Sequence, residues 1–397
     1  MNINQFTRTT FEIIVREWGH FKKNNMLKLM LFGGPVLFPV VLGLVYIQAK
    51  PLEQPITIVD LDNSSLSQKI IEALDDNQYL RVFRVVGSEQ TGLHDLKKGR
   101  IEGIVFIPEG FEGDIQQKRH PEIYISLNSL NILTSNYINT GILKTLGVIN
   151  AGIEVNTLQK SGVPVATASD RFESFSIQTD RFYNPETNYL TFLWPGVVGT
   201  SLQQIFLLVI ALIFAYEFEK GTFSSLLKKS TSASHLIFAK SIPYFLIMML
   251  IWSAMIFILF PLFHVPIIGS AVNLLLFSAM FMLALLSLGV FVSCLTRTML
   301  LSTDILMIIS VPSFILSGFT WPVSQMPSYI QVISEVLPLT PFLNGLRRIV
   351  FMGSSLQDVL PEIKSLAIMI IVFGLLGWGV LKLKIRNYIS KGALNQV

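Results

Sequence analysis

The sequence is poor in charge and almost without cysteine. Of 397 residues only 14% are Asp, Glu, Lys or Arg, where ordinary soluble domains carry about 25%. Residues 241–296 contain no such residue at all. That pattern excludes a soluble enzyme and a disordered tail. The single cysteine, Cys294, excludes an intrachain disulfide and a cysteine-based metal cluster. No Gly-Lys dipeptide occurs, so there is no G-x-x-x-x-G-K-[ST] phosphate loop and the chain is not itself an ATPase of that type. A net charge of +4 is no signal for nucleic acid. Its use lies in where the cations fall.

What is present is apolar and clustered: 51% of residues are hydrophobic. A bilayer-spanning helix needs about 20 apolar residues, and six segments qualify. They are Leu29–Ala49, a stretch within Tyr189–Tyr216, Ile242–Phe260, Val272–Leu295, Leu300–Gly318 and Leu366–Leu381. Lys and Arg then assign the sides. Arg8, Arg16, Lys22, Lys23 and Lys28 precede the first segment, and Lys220, Lys228, Lys229 and Lys240 follow the second. Arg297 follows the fourth, and Lys382, Lys384, Arg386 and Lys391 follow the sixth. The expectation is an α-helical membrane protein with six transmembrane helices, both termini cytoplasmic and residues 50–188 outside. The first segment is expected to be an uncleaved anchor: its apolar run is long for a signal peptide, and no small-x-small site follows it.

Residues 1–28 read as a cytoplasmic interfacial helix. Phe11, Ile14, Val15, Trp18 and Phe21 recur at spacings of three and four, with Glu12, Arg16, Glu17 and Lys23 elsewhere around the wheel. The alternative is a solvated helix packed on a partner. Residues 50–188 read as a small α/β domain inserted between spans one and two. Strands are expected at Ile56–Leu61, Arg81–Val86, Ile101–Ile107 and Ile123–Leu127. Helices are expected at Ser65–Asp75, Glu89–Lys98 and Phe111–Gln117, with Asp62 or Asn63 capping the first. A long helix over about 131–160 and a return stretch, 161–187, complete it. Asp60 and Asp62 share a strand face, which suits a cation, but a strand end and a cap explain them better. His94 and His120 are isolated, and no constellation for catalysis emerges.

Residues 189–383 form the five-helix remainder, ahead of a cytoplasmic tail, 384–397. Within it, 319–353 is too apolar for an open loop, and its pieces Tyr329–Leu337 and Phe342–Met352 are too short to span. They read as outer re-entrant half-helices. Gly318, Pro322, Pro327 and Pro338 punctuate them, and Arg347 with Arg348 suits headgroups or an anionic substrate. Asp304 is the one acid placed inside a span. It lies seven residues from Arg297, near the cytoplasmic end of that span, and reads either as a partner of Arg297 or a helix-end residue, or as a substrate or proton site; the residues leave these open. After the second span, Glu217, Glu219 and Lys220 end a helix, Gly221 breaks it, and Thr222 can cap a short helix, Phe223–Lys228.

That segment, Glu217-x-Glu219-Lys220-Gly221-Thr222 with Leu226-Leu227 and later Ala239-Lys240, resembles the E-x-E-[KR]-G-T segment of type-2 ABC exporter permeases. Ser317-Gly318, Pro322, Met326-Pro327 and Leu337-Pro338 are similar to that family's outer re-entrant region, and Gly345-x-Arg347 to Gly353 to its continuation. Ile58-Val59-Asp60-x-Asp62 and Gly103–Phe111 look like the extracytoplasmic domain of its multidrug-exporter branch. Departures are Ser224 and Ser225, where the family often has an acid, and Ser230-Thr231, where it often has Thr-Pro.

The resemblance implies a coupling helix that docks on a separate ABC ATPase subunit carrying ATP and Mg, with no cofactor on this chain. It also implies a second permease half, identical or homologous, and a bacterial inner-membrane location. Export by alternating access follows from it, and the aromatics Phe206, Phe214 and Phe314 of spans two and five suggest an amphipathic or lipid-like substrate. Membrane lipid and a periplasmic adaptor are the further partners expected. The rivals are an ion-driven secondary transporter, for which no internal repeat is found, and a membrane-anchored sensor, for which the tail is too short to hold an output domain.

Overall fold

The structure, a computed structural model, describes residues 3–160 and 182–390. Most of the expected return stretch and the end of the tail lie outside the described residues. The chain divides into two compact units, residues 50–180 and the remainder.

The first unit is built on a four-stranded sheet. Its strands are β1 (Gln54–Asp60), β2 (Leu80–Val86), β3 (Gly103–Ile107) and β4 (Tyr124–Leu127), in the order β2-β1-β3-β4. β1 runs parallel to β2 and β3, and β4 closes the edge antiparallel to β3. Central β1 is buried from Ile56 to Asp60, as a strand covered on both faces must be. One face packs on Ile70 and Leu74 of a helix Ser65–Asp75 and on Ile138 and Ile142 of the long helix Ile132–Lys160. The other packs Val59 and Ile104 under the helix Glu89–Lys97.

The loop after β1 differs from expectation. Neither Asp62 nor Asn63 caps the next helix: Ser64 does, in a reciprocal capping box with Ser67. The Asp60 carboxylate instead accepts from the amides of Asp62 and Asn63 and from the Ser67 hydroxyl, at 2.8–3.1 Å. Asp62 accepts from the Glu112 amide at 3.1 Å. Both acids therefore serve the backbone of this corner.

In the second unit five helices are long and apolar enough to cross a membrane: Tyr189–Glu219, Ala233–Leu262, Ala271–Leu295, Met299–Leu316 and Leu360–Ser390. The segment expected to be the first span is a shorter apolar helix, Leu29–Val45. It opens with a π-helical turn, Leu29–Gly33, and contains Pro39. At 1.5 Å per residue it reaches roughly 25 Å, just under a hydrocarbon core of about 30 Å. The last helix runs on through Lys382, Lys384 and Arg386, so the start of the expected tail is helical.

Numbered in chain order, α1 is Ile3–Lys23 and α2 the turn Asn25–Lys28. α3 is Gly34–Val45, and α4 to α7 are the four helices of the α/β unit, with Phe111–Gln116 as α6. α8 is Tyr189–Glu219, α9 Phe223–Leu227 and α10 Ala233–Ala254. α11 is Phe260–Leu262, α12 Ala271–Leu295 and α13 Met299–Leu316. α14 is Ser328–Val336, α15 Leu339–Met352 and α16 Leu360–Ser390.

α8 is the central helix, with α3, α12 and α13 packed on it. Without a hydrophobic drive in lipid, close packing and hydrogen bonds hold such helices together. Gly289 of α12 admits Ile210, since a Cβ there would lie 2.6 Å from the Ile210 side chain. The Ser293 hydroxyl accepts from the Phe214 and Ala215 amides and donates to the Ala211 carbonyl. Trp194 donates its indole N–H to the Pro39 carbonyl at 2.7 Å, tying α3 to α8.

The two short helices sit on this bundle. Pro327 and Pro338 stand at the N-caps of α14 and α15, and Pro322 before a 3-10 turn. α15 starts three residues earlier than expected, at Leu339. Phe342 stacks on Phe281 with ring centroids 3.8 Å apart. Gly318 has φ +80°, which turns the chain so that Phe319 is buried. Arg347 donates to the Phe319 carbonyl at 3.0 Å and lies over its ring, and Arg348 pairs with Glu362 at 3.0 Å. Both guanidinium groups are thus engaged within the chain.

One acid of the α/β unit is a sharp probe of its packing. Asp95 is fully buried on α5 and paired with Arg84, with Arg100 at 3.6 Å. Asp95→Ala removes the buried carboxylate that Arg84 and Arg100 share; because both arginines are partly exposed, the expected cost is about 1–3 kcal/mol. Hydrogen exchange on the full chain checks this: protection of β1 and β3 should fall with the substitution, and unchanged protection would refute the cost.

Candidate coupling interface

The segment after α8 is a tight protrusion. α8 ends at Glu219, Lys220 is its C-cap, and Gly221 takes φ +68°, a left-handed turn that glycine adopts without strain. α9 follows at once. Its Phe223, Leu226 and Leu227 are buried, and the Phe223 ring meets Phe218 and Tyr388 with centroids 4.9 and 5.4 Å away. Glu219, Lys220, Gly221, Ser225 and Lys228 form the exposed tip. The short helix is anchored by its own apolar residues and presents a small polar face.

Beneath it lies a buried cluster of four charges. Lys240 of α10, only 1% exposed, donates to Glu17 of α1 at 2.6 Å and to Glu217 of α8 at 2.8 Å. Arg16 of α1 donates to the other Glu217 oxygen at 2.8 Å. Tyr244 of α10 donates to Glu17 at 3.2 Å. Thr222 makes no side-chain cap on α9, contrary to expectation; its hydroxyl donates to Glu217 at 2.5 Å. Two carboxylates and two cations balance. Burial of charge is tolerated only with such pairing and with the remaining lone pairs filled.

Further ties surround it. Glu219 accepts from the Met299 amide at 2.7 Å, satisfying an orphan donor at the start of α13. Lys384 of α16 donates to the Thr296 carbonyl at 2.8 Å. On α1, Thr10 meets His235 at 2.8 Å, and the other His235 nitrogen meets Ser230 at 2.9 Å. Glu12 pairs with Lys229 at 3.5 Å.

The faces of α1 are not those the wheel suggested. Ile13, Glu17 and Phe21 are buried against the bundle and Ile14 is half-buried. Phe11, Val15 and Trp18 are exposed, by 67%, 51% and 41%. The apolar stripe therefore divides: Phe21 faces protein, while Phe11 and Trp18 keep a free apolar face. Asp304 and Arg297, offered as a pair, are both exposed and make no contact with each other. The sequence reading placed Glu217 and Thr222 correctly in one segment but missed Glu17, Lys240 and Tyr244 as their partners. The available signal was Lys240, the last charge before a long uncharged run, at a depth where an unpaired cation is costly.

Lys240→Met would leave Glu17 and Glu217 facing only Arg16. It is expected to destabilise the chain by about 3–5 kcal/mol, seen as a lower unfolding midpoint in detergent. Arg8→Ala, at an exposed pair with Glu12, is expected to cost under about 0.5 kcal/mol. Equal midpoints for the two variants would show that the cluster carries no stability.

Comparison with known proteins identifies the family. A profile of the ABC-2 family transporter protein matches residues 26–378. The probable multidrug ABC transporter permease YbhS of Escherichia coli K12 is 25% identical over 65% of this chain and 67% of its own length. The inner membrane transport permease YhhJ of the same organism is 26% identical over 79% and 80%. The linearmycin resistance permease protein LnrN of Bacillus subtilis 168 is 22% identical over 84% and 88%. This multi-pass membrane chain belongs to the ABC-2 transporter family, as a permease subunit and not an enzyme.

Proposed function

We propose that this chain is the membrane half of an ATP-driven exporter, moving amphipathic or lipid-like molecules outward across a bacterial inner membrane. The reading places six spans across the bilayer, counting Leu29–Val45 as the first, with both termini cytoplasmic and the α/β unit outside. The cation distribution supports that orientation, and the names of the multidrug and linearmycin-resistance relatives support the cargo class.

The observation that carries the reading is the buried charge cluster. It joins the N-terminal helix, the end of α8, the start of α9 and the cytoplasm-facing end of α10 into one piece. A separate ATPase subunit, with ATP and Mg bound there, docks on the exposed tip from Glu219 to Lys228. Closure of two ATPases pushes α9, and the cluster passes the push to α1, α8 and α10. A cavity of about 660 Å³ lies beside the cluster, lined by His20, Lys23, Tyr216 and Tyr244 among others. The exposed Phe11 and Trp18 rest in the lipid interface. A second permease half completes the pathway, and a periplasmic adaptor docks on the α/β unit.

The test is purification from the native host in mild detergent, with identification of the chains that come with it. A phosphate-loop ATPase should accompany the wild type. It should be lost with Gly221→Pro, which cannot take the left-handed turn, and with Glu219→Lys, which reverses the tip charge and frees the Met299 amide. Absence of any ATPase across several detergents would remove the energy source and sink the reading.

A further inference from the structure

The cavity beside the charge cluster straddles a polar–apolar boundary. Its volume of about 660 Å³ falls in the range of about 300–1,000 Å³ that ligand sites occupy. His20, Lys23, Asn24 and Asn25 line one part of it, and Leu27, Leu212 and Ile213 another. The sequence marks the same boundary on two separate segments. On the first, Lys22, Lys23, Asn24 and Asn25 come just ahead of the apolar helix Leu29–Val45, and no charge follows Lys28 until Lys50. On the second, the apolar body of α8 passes through Leu212 and Ile213 and then reaches Tyr216 and Glu217. The cavity therefore has one part suited to a headgroup and one suited to acyl chains.

Its charge balance favours one sign. Glu17, Glu217 and Lys240 line the cavity and are at most 4% exposed. The oxygens of both carboxylates are taken by Lys240, Arg16, Tyr244 and Thr222. Two acids and two cations there sum to zero. Lys23 is then the surplus charge of the lining, and among the described residues it has no hydrogen bond or ion pair. Glu219 is the acid beside the Met299 wall, and it is held by the Met299 amide. Asn24 gives its side-chain oxygen to the Leu27 amide at 3.1 Å, which leaves its N–H₂ to donate. Lys22, by contrast, lies over the Trp18 ring and is not part of the lining.

We propose that this cavity holds the headgroup of an anionic phospholipid. Lys23 and the side-chain amides of Asn24 and Asn25 meet the phosphate, and Leu27, Leu212 and Ile213 meet the first carbons of the acyl chains. This rests on the permease reading above, which puts that end of the bundle at the cytoplasmic leaflet, where anionic lipid gathers basic segments. The cavity is walled by α1, α2, α8, α10 and the first residue of α13. The lipid is thus a fixed constituent of the coupling end, set among the elements that the charge cluster joins, and not cargo. A cationic amphiphile of the same shape is disfavoured by the Lys23 charge.

The experiment measures binding of phosphatidylglycerol and phosphatidylcholine with the same acyl chains. The full chain, with any co-purifying chains, is stripped of lipid in mild detergent and titrated by native mass spectrometry. The wild type should prefer phosphatidylglycerol. Lys23→Gln is expected to weaken phosphatidylglycerol about tenfold and leave phosphatidylcholine unchanged, and Lys23→Arg to stay within about threefold of the wild type. Lys22→Gln, one residue away and outside the cavity, should also stay within about threefold. Lys23 is exposed, so these variants fold as the wild type does. Excess inorganic phosphate should not displace the lipid; displacement would assign the site to a free anion and overturn the lipid as occupant. Equal affinities of wild type and Lys23→Gln for phosphatidylglycerol, or equal affinities of the wild type for the two lipids, would overturn the proposal as well. No ATP is involved, so failure to recover an ATPase and failure of lipid recognition are separate results.

Discussion

The arrangement at one end of the bundle depends on a carboxylate that must be neutralised. Glu217 ends a helix whose body is apolar and central, and it is only 1% exposed. Its two oxygens are filled by Lys240, Arg16 and Thr222, from three different elements. Once Lys240 is buried, its remaining capacity draws in Glu17, and Glu17 in turn takes the Tyr244 hydroxyl. Each member is present because another would otherwise be buried and unpaired. Such a cluster contributes little net stability compared with a well-packed apolar substitute, but losing any one member is expensive. Its consequence is geometric: α1, the end of α8, the start of α9 and α10 are fixed in one mutual arrangement.

The helices around this anchor are held less uniformly. α8 is enclosed, its packing set by close approach to Gly289 and by the Ser293 hydroxyl inserted against its backbone. A hydroxyl at such a position is one of the recognised causes of a bend in a helix. α13 touches α8 through Ser302, which donates to the same Ala211 carbonyl as Ser293. It also meets the protrusion through Glu219 and the Met299 amide. Its buried face, with Leu306, Ser310 and Ser313, packs along α8, so α13 is held mainly by close packing and not by charge. The bundle thus combines a locked corner with a helix that keeps a whole face free.

Much of the fold was legible because its signals are local. Length and apolarity alone mark the five long helices, and strand-helix alternation marks the sheet unit. The loop chemistry was less legible. Asp62, Asn63 and Ser64 are all good capping residues in a row, and only the backbone path selects Ser64, leaving Asp60 to serve the turn. Thr222 follows a helix-breaking glycine and looks like a cap, but its backbone is helical (φ −83°, ψ −2°) where a capping residue is extended, and its hydroxyl turns to donate to Glu217. Glu17 was read onto a polar face because a helical wheel cannot see a partner 223 residues away. The candidate site was half visible: its segment was recognised, but the ion pairs that fix it join distant parts of the chain.

The contrast between two acids shows how the chain divides its charge. Glu217 and Asp304 lie on neighbouring helices that pack directly on each other. Glu217 is enclosed and meets two cations, so its charge is cancelled locally and is not available to a ligand. Asp304 is exposed and, among the described residues, has no counter-ion. An exposed carboxylate near the start of a helix costs the chain little, whereas an enclosed one such as Glu217 has to be paired.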